Sequence, residues 1–141
     1  MLNKHKPIRS KKSLSKLKKK LWSLISQYVR LKSSDHRGFC QCVTCGREDH
    51  YKKMQAGHFV SKAQGNGVYW DIRNIHVQCY RCNINLGSNG PEYYKYMLKT
   101  YGEDVINEIM GNAHKTIKIT APEYEDMIKD YKEKLDLIER D

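Results

Sequence analysis

The sequence predicts an α+β fold in which a small central core lies between helical flanks. The chain has 141 residues, enough for one domain with a modest apolar core. Apolar residues recur at three- and four-residue steps toward both ends, whereas residues 39–89 show a shorter period interrupted by glycine and polar residues. These two patterns predict helices at the ends and short strands with loops in the middle.

The first segment, residues 1–34, combines a basic arm with an amphipathic helix. Asn3–Lys12 carries cations without an apolar period, which predicts a flexible arm. The helix follows, and its apolar residues share one face: Leu14, Leu17, Leu21, Leu24, Ile25 and Tyr28. The run 33–38 breaks this period and predicts a loop.

The central segment, residues 35–102, holds the core and ends in a helix. Pro91 suits the first turn of that helix, and Gly102 suits its end. The third segment, residues 103–141, predicts a short helix over residues 104–110 and a longer final helix. Thr120 and Glu123 form a capping box where the final helix begins. Its apolar face contains Tyr124, Met127, Ile128, Tyr131, Leu135 and Ile138.

The composition is that of a globular protein rather than of a membrane or disordered one. Hydrophobic residues make up 39% and charged residues 30% of the chain. No apolar run approaches the roughly 18 residues of a membrane span, and no apolar stretch follows the basic N-terminus as in a secretory signal. We therefore expect a cytoplasmic protein whose thiols stay reduced.

The net charge of +10 is concentrated at the N-terminus, which indicates a nucleic-acid partner. Residues 1–34 contain eleven Lys or Arg and no acid, whereas residues 103–141 contain six against eleven acids. Such an arm can neutralise backbone phosphates. A solvated tail and a membrane-surface helix are the alternatives. The predicted nucleic-acid contacts are Lys11, Lys12, Lys16, Lys18, Lys19, Lys20 and Arg81.

Four of the five cysteines form two Cys-x-x-Cys pairs. Two thiolates two residues apart can face one ion, and Gly46 allows a tight turn after the first pair. A redox motif needs only one pair, so two pairs favour a metal. We predict one structural Zn²⁺ bound by Cys42, Cys45, Cys79 and Cys82. Cys40 is expected to be a small buried residue.

The order of polar residues around these pairs is similar to that of a known superfamily. The segments Gly57-His58-Phe59, Asn74-Ile75-His76-Val77-Gln78-Cys79 and Cys82-Asn83 resemble the zinc-braced HNH, or ββα-metal, nucleases. Together with Met54-Gln55-Ala56 and Gly87-Ser88-Asn89, they look most like the NinG/Rap family of phage recombination endonucleases. The Cys-x-x-Cys-Asn ending is also similar to phage recombination endonuclease VII. The resemblance covers roughly residues 39–101 and implies a ββα-metal core with flanking helices.

The resemblance assigns roles that suit phosphodiester hydrolysis, which needs a base and a cation. His58 is the expected general base, because neutral imidazole accepts a proton near neutral pH. Asn74 is expected to orient that imidazole through its backbone or side chain. Asn83 is expected to give an oxygen to a catalytic Mg²⁺ or Mn²⁺. The alternative for Asn74 and Asn83 is a structural role, because asparagine is common in turns and at helix caps.

One position departs from the superfamily pattern. Many of these enzymes have a metal-binding acid just before the histidine, where this chain has Gly57. Asp71 and His76 are candidates to replace it. His76 could face the metal or the scissile phosphate, or serve as a structural histidine.

The resemblance implies a metal-dependent endonuclease for branched or recombining DNA, such as Holliday junctions, in the cytoplasm of a bacterial host. A homodimer suits paired cuts, and recombination proteins are possible partners. The alternatives are a non-catalytic zinc module that binds nucleic acid in recombination, and a sequence-specific nuclease on linear duplex. Trp22 and Trp70 are expected core anchors, although Tyr69-Trp70 could stack on an unpaired base. The remaining histidines are expected at the surface: His5, His36, His50 and His114.

Overall fold

The computed structural model describes residues 11–140, without the side chains of residues 11, 12, 64 and 140. The fold is α+β, with four helices and two small antiparallel sheets among these residues. The chain divides into two compact units. One contains the segments up to Ile25 and from Ile119 onward, and the other contains Ser26–Lys118.

The first unit contains most of helix α1 (Lys11–Lys32) and all of helix α4 (Ala121–Arg140). Both are amphipathic, as predicted. On α1 the buried residues include Leu21 and Ile25, and the lysines of the opposite face are exposed. On α4 the buried residues are spaced three or four apart: Ala121, Tyr124, Ile128, Tyr131 and Leu135. The predicted capping box is present, because Glu123 N–H donates to Thr120 Oγ1 and Thr120 N–H donates to Glu123 Oε1.

Two strand pairs make up the sheets of the second unit. Strands β1 (Phe39–Gln41) and β2 (Glu48–His50) form a hairpin around the first cysteine pair. Strands β3 (Gln55–His58) and β4 (Ile75–Gln78) are also antiparallel, with Gly57 opposite His76. A single π-helical turn, Arg81–Asn85, follows β4 and contacts β3. These two strands and the helical turn carry the residues of the candidate site.

Helices α2 (Gly90–Thr100) and α3 (Glu103–Ala113) cover the loop between β3 and β4. Pro91 lies in the first turn of α2, as predicted, and α3 is slightly longer than predicted. The core combines two loop residues with buried residues of both helices: Val60, Val68, Tyr93, Met97, Ile106, Ile109 and Ala113. The loop is therefore fixed by packing at its two valines.

Three expectations about individual residues were wrong. Trp22 and Trp70 are half-buried rather than core residues. His50 is also half-buried, and its Nδ1 accepts a hydrogen bond from Lys52 N–H. Of the predicted flexible arm, residues 3–10 and His5 lie outside the described residues, whereas residues 11 and 12 are helical. Cys40 is buried, as expected.

Candidate functional site

The four paired cysteines converge on one point. The Sγ atoms of Cys42, Cys45, Cys79 and Cys82 all lie within 4.8 Å of one another, and those of Cys45 and Cys79 are 3.7 Å apart. Tetrahedral zinc with Zn–S bonds of about 2.3 Å separates its sulfurs by about 3.8 Å. The four thiols therefore fit a single zinc ion.

The loop of the β1–β2 hairpin shapes the first half of this site. Cys42 N–H donates to the Arg47 carbonyl, and Gly46 N–H donates to the Cys42 carbonyl, at 2.9 Å each. The turn requires φ of +80° at Gly46, a conformation that glycine adopts without strain. Burial raises the pKa of Cys42, but hydrogen bonds to its sulfur outweigh this and lower the pKa to about 6. That sulfur is therefore readily a thiolate, the form that binds a metal.

The second half of the site is the start of the π-helical turn. Cys82 N–H lies 3.5 Å from Cys79 Sγ and donates to it. Asn89 Nδ2 donates to Cys82 Sγ over 3.6 Å. The backbone reverses direction here through left-handed conformations at Gly87, Ser88 and Asn89. This reversal brings the Asn89 amide back to the cysteines, which gives a physical role to the Gly87-Ser88-Asn89 motif.

His58 is the last residue of β3 and is held in one tautomer. Its Nε2 lies 2.9 Å from the Tyr69 carbonyl oxygen, and its ring stacks on the Tyr69 ring at 4.5 Å. A carbonyl only accepts, so Nε2 carries the proton and Nδ1 has the lone pair. Burial lowers the pKa of His58, the Tyr69 carbonyl raises it, and the charge of Lys62 lowers it, with a net decrease. The imidazole is therefore neutral near pH 7.

Asn74 is completely buried and braces the loop that carries Tyr69. Its Oδ1 accepts from Val60 N–H at 2.8 Å, and its Nδ2 donates to the carbonyls of Val60 and Val68 at 2.9 and 3.1 Å. The Asn74 backbone carbonyl accepts from Phe59 N–H. We expected Asn74 to orient His58 through its backbone or side chain. Its side chain holds the loop on which the Tyr69 carbonyl lies, and its backbone carbonyl binds the residue that follows His58.

Asn83 lies on the π-helical turn with its amide oxygen directed at Gly57. Its Nδ2 donates to Gln55 Oε1 at 2.7 Å, which turns Oδ1 the other way. A Cβ on Gly57 would lie 2.9 Å from Asn83 Oδ1. Gly57 and His58 are consecutive residues at the end of β3. His58 and Asn83 therefore both lie beside this strand end.

Gln78 is a further site residue, to which the sequence motif assigned no role. Its side chain is fully buried, and its Nε2 donates to the Ser88 carbonyl at 2.8 Å and to Thr44 Oγ1 at 3.1 Å. Thr44 Oγ1 lies 3.2 Å from Cys42 Sγ and can donate its proton to that sulfur when the sulfur is a thiolate. Gln78 Oε1 would lie only 1.9 Å from a Cβ on Gly57. Gln78 directly precedes Cys79, but nothing in the sequence alone shows that its side chain is buried beside the four-cysteine cluster.

His76 makes the contacts of a structural histidine. Its Nε2 is 2.8 Å from the Tyr101 hydroxyl, and its Nδ1 is 3.0 Å from the Tyr93 hydroxyl. Tyr93 donates to the Gly57 carbonyl at 2.7 Å, so it accepts from His76 Nδ1–H. Burial lowers the pKa of His76 to about 4, so the ring stays neutral. Both ring nitrogens have tyrosine partners, which favours the structural alternative over the metal-facing one.

Asp71, the other candidate to replace the acid, pairs with an arginine. Its carboxylate accepts from Arg73 Nη2 at 2.8 Å and from Arg73 Nε at 3.1 Å, and Arg73 also pairs with Glu108. The same carboxylate caps the short turn at Ile72–Asn74 through Arg73 N–H. These contacts describe a cap within an ion-pair network.

The predicted nucleic-acid contacts divide between the two units. Lys16, Lys18, Lys19 and Lys20 are exposed on α1 in the first unit. Arg81 is exposed on the π-helical turn of the second unit, two residues before Asn83. The side chains of Lys11 and Lys12 lie outside the described residues.

The comparisons with known proteins decide the family. Residues 3–141 match the family model described as Bacteriophage Lambda NinG protein. The chain belongs to the NinG family. Curated NinG relatives include the proteins named Protein ninG of Escherichia phage 933W and Salmonella phage P22, each 27% identical over 111 residues. The Protein ninG of Escherichia phage lambda is 26% identical over 111 residues.

Each of these alignments covers 79% of this chain and 52% of the NinG relative. The chain therefore spans about half the length of the curated relatives that it matches. No solved structure matches it. Among residues 11–140, no helix combines the length and apolarity that crossing a membrane requires.

Proposed function

We propose that this NinG-family chain is a metal-dependent endonuclease that hydrolyses phosphodiester bonds in branched DNA, such as Holliday junctions. One observation carries the proposal: a neutral histidine and an amide oxygen approach the end of one short strand, beside a four-thiol cluster. The order β3, β4 and π-helical turn agrees with the ββα arrangement that the HNH resemblance implies.

His58 is the proposed general base. Its Nδ1 has the lone pair because Nε2 donates to the Tyr69 carbonyl, and burial keeps the ring neutral. A base fixed in one tautomer can take a proton from water without first rearranging. The stacked Tyr69 ring and the loop braced by Asn74 hold the imidazole in this orientation.

Asn83 is the proposed ligand of a divalent cation such as Mg²⁺ or Mn²⁺. Hard cations prefer oxygen ligands, and the hydrogen bond to Gln55 aims the Asn83 oxygen at the strand end. When bound, the cation supplies stabilisation of the negative charge that develops on the phosphate and the leaving oxygen. The protein contributes the orientation of the amide.

The proposed structural role of zinc is to fix the turn that carries Asn83. Cys79 lies two residues before that turn and Cys82 lies within it, and Asn83 N–H donates to the Cys79 carbonyl at 3.0 Å. The Cys42 sulfur is also linked through Thr44 to Gln78 beside Gly57. Removal of zinc would therefore disturb the proposed active site at Asn83 and at Gln78.

DNA is the proposed substrate because the exposed cations of α1 and Arg81 suit a polyanion. The branched structure rests on the NinG/Rap resemblance, since the name Protein ninG states no activity. A homodimer and recombination partners remain predictions on the same ground, and so does a location in the host cytoplasm.

Two other candidates share part of these features. One candidate is a non-catalytic zinc module that binds nucleic acid in recombination. The glycine at position 57 favours it, because the usual metal-binding acid is absent there. A sequence-specific nuclease would use the same residues on linear duplex. The choice among the three depends on whether DNA is cut and on which DNA is cut.

The test is a cleavage assay on four-way junctions, flaps and linear duplexes of matched sequence, with Mg²⁺, Mn²⁺ or chelator. We expect cation-dependent cuts near the branch and none in the linear duplex. His58→Ala should abolish cutting but leave zinc content and DNA binding unchanged, and His36→Ala, on an exposed loop, is its control. Binding without cleavage under every cation would support the non-catalytic module. Cuts at one sequence in linear duplex would support the third candidate.

A further inference from the structure

Two side-chain oxygens meet at the place where a residue other than glycine at position 57 would have its Cβ. That point lies 1.9 Å from Gln78 Oε1 and 2.9 Å from Asn83 Oδ1. The two oxygens are therefore no farther apart than these two distances combined. They come from different elements, Gln78 from the end of β4 and Asn83 from the π-helical turn.

A hydrogen bond to a backbone carbonyl fixes the orientation of the Gln78 amide, and the Asn83 amide pairs with the side chain of Gln55. Gln78 Nε2 donates to the Ser88 carbonyl, which cannot donate in return, so nitrogen and oxygen cannot exchange places. Asn83 Nδ2 donates to Gln55 Oε1 at 2.7 Å. Both oxygens are thereby turned toward Gly57.

Gln78 Oε1 is buried and has no hydrogen-bond partner among the described residues. Buried polar atoms are nearly always paired, and two acceptor oxygens that face each other repel. A divalent cation is a partner that two such oxygens can share, because Mg²⁺ and Mn²⁺ take neutral amide oxygens as ligands. The pair therefore fits the cation that the proposed function requires.

Lack of space for a side chain, and not backbone conformation, explains why position 57 is a glycine. Gly57 lies outside the left-handed region, so an L-residue could adopt its backbone, but any Cβ would overlap Gln78 Oε1. The superfamily acid would extend from this same Cβ. The Gln78 oxygen thus occupies space that the side chain of such an acid would need.

We propose that Gln78 Oε1, together with Asn83 Oδ1, binds the catalytic cation and replaces the acid that is absent at position 57. The hydrogen bonds of Gln78 to Thr44 and Ser88 position this ligand, and through Thr44 they connect it to the zinc thiolate of Cys42. This inference rests on the proposed function, because it supplies a second ligand to the same cation.

The test measures cation binding separately from cleavage. In zinc-loaded, ¹⁵N-labelled protein, Mn²⁺ should broaden the side-chain NH₂ signals of Asn83, and excess Mg²⁺ should reverse this. Mn²⁺ does not displace zinc from four thiolates, because it binds such sites more weakly. Gln78→Met keeps an unbranched side chain of similar length and should require at least about tenfold more Mn²⁺. Gln41→Met, an exposed glutamine on β1, should match the wild type.

The outcomes separate this inference from the proposed function. If Gln78→Met binds Mn²⁺ as tightly as a wild type that cleaves DNA, Gln78 is not a ligand, whereas the endonuclease proposal stands. The inference also fails alone if the wild type cleaves but Mn²⁺ leaves Asn83 unaffected. If the wild type neither cleaves nor shows broadening at Asn83, both fail.

If Gln78→Met loses its zinc, a second pair of variants tests whether Gln78 binds the cation. Gln78→Ala clears the space beside position 57, and Gly57→Asp in the same chain returns a carboxylate to it. The double variant should regain the Mn²⁺ broadening of Asn83 that Gln78→Ala alone lacks. Equal absence of broadening in both would overturn the inference.

Discussion

Asn74→Ala removes the brace of the loop that carries Tyr69 and should destabilise the second unit strongly. The side chain is 0% exposed and makes three hydrogen bonds to loop backbone, at 2.8, 2.9 and 3.1 Å. Truncation leaves one N–H and two carbonyls buried without partners, at about 1–3 kcal/mol each. Since water can enter part of the space, we expect a loss of roughly 3–5 kcal/mol in the free energy of unfolding.

Urea denaturation of the zinc-loaded protein measures this loss. A Trp22→Phe background leaves Trp70 as the only tryptophan, and Trp70 lies in the braced loop. With a slope of about 2 kcal/mol per molar urea, the midpoint should fall by roughly 1.5–2.5 M. Asn66→Ala is the matched control, because Asn66 also makes two backbone hydrogen bonds, to Ile117, but in an exposed position. Water replaces those bonds, so its midpoint should shift by less than about 0.5 M.

The reasoning is refuted if the two asparagine variants have equal midpoints. Such a result would mean that the loop finds other partners and that Asn74 is not its brace. Because the braced loop carries the Tyr69 carbonyl that orients His58, the cleavage rate of Asn74→Ala should fall together with its stability.

Three further predictions concern zinc, pH and glycine. Chelation of zinc should abolish cleavage by unfolding the turn that carries Asn83, and Mg²⁺ should not restore it; circular dichroism and a cleavage assay check both parts. Burial lowers the pKa of His58 below its ordinary 6.5, so the base stays neutral in mild acid and the acid limb of the cleavage profile should lie below pH 6.5. Gly57→Ala should cost about 1–3 kcal/mol in urea denaturation, because its Cβ would overlap Gln78 Oε1. Gly111→Ala on α3 meets open space and should be neutral or slightly stabilising, and equal losses for the two would contradict the overlap.

Local patterns were sufficient to predict most of the helical fold. The spacing of Leu21 and Ile25 on α1, and of Tyr124 and Ile128 on α4, reflects one buried face per helix, which is a property of each segment alone. The four-cysteine cluster was predictable because two Cys-x-x-Cys pairs commonly converge on one metal ion.

Contacts between distant segments were harder to predict. Asn74 was expected to orient His58 through its backbone or side chain. Only the fold shows that its side chain binds Val60 and Val68 and that its carbonyl accepts from Phe59 N–H. His76 alternates along β4 with buried apolar residues, and only the fold shows that Tyr93 and Tyr101 meet both of its nitrogens.

Gln78 shows the same limit most clearly. A glutamine before a cysteine has no spacing rule that marks it as a site residue. Its importance comes from three segments that meet around it: Thr44 from the first hairpin, Ser88 from the loop before α2, and Gly57 from β3. Sequence reasoning noted Gly57 as a missing acid, and the structure places Gln78 in that space.

The most direct test of the central claim is the single-turnover rate of junction cleavage for His58→Ala against wild type, with Mg²⁺ and saturating enzyme. A positioned general base contributes about 10²–10⁴-fold, so the rate should fall by at least about a hundredfold. Zinc content and junction affinity should stay at wild-type values, which excludes unfolding as the cause. A rate within a few-fold of wild type would contradict the assignment of His58 as the base.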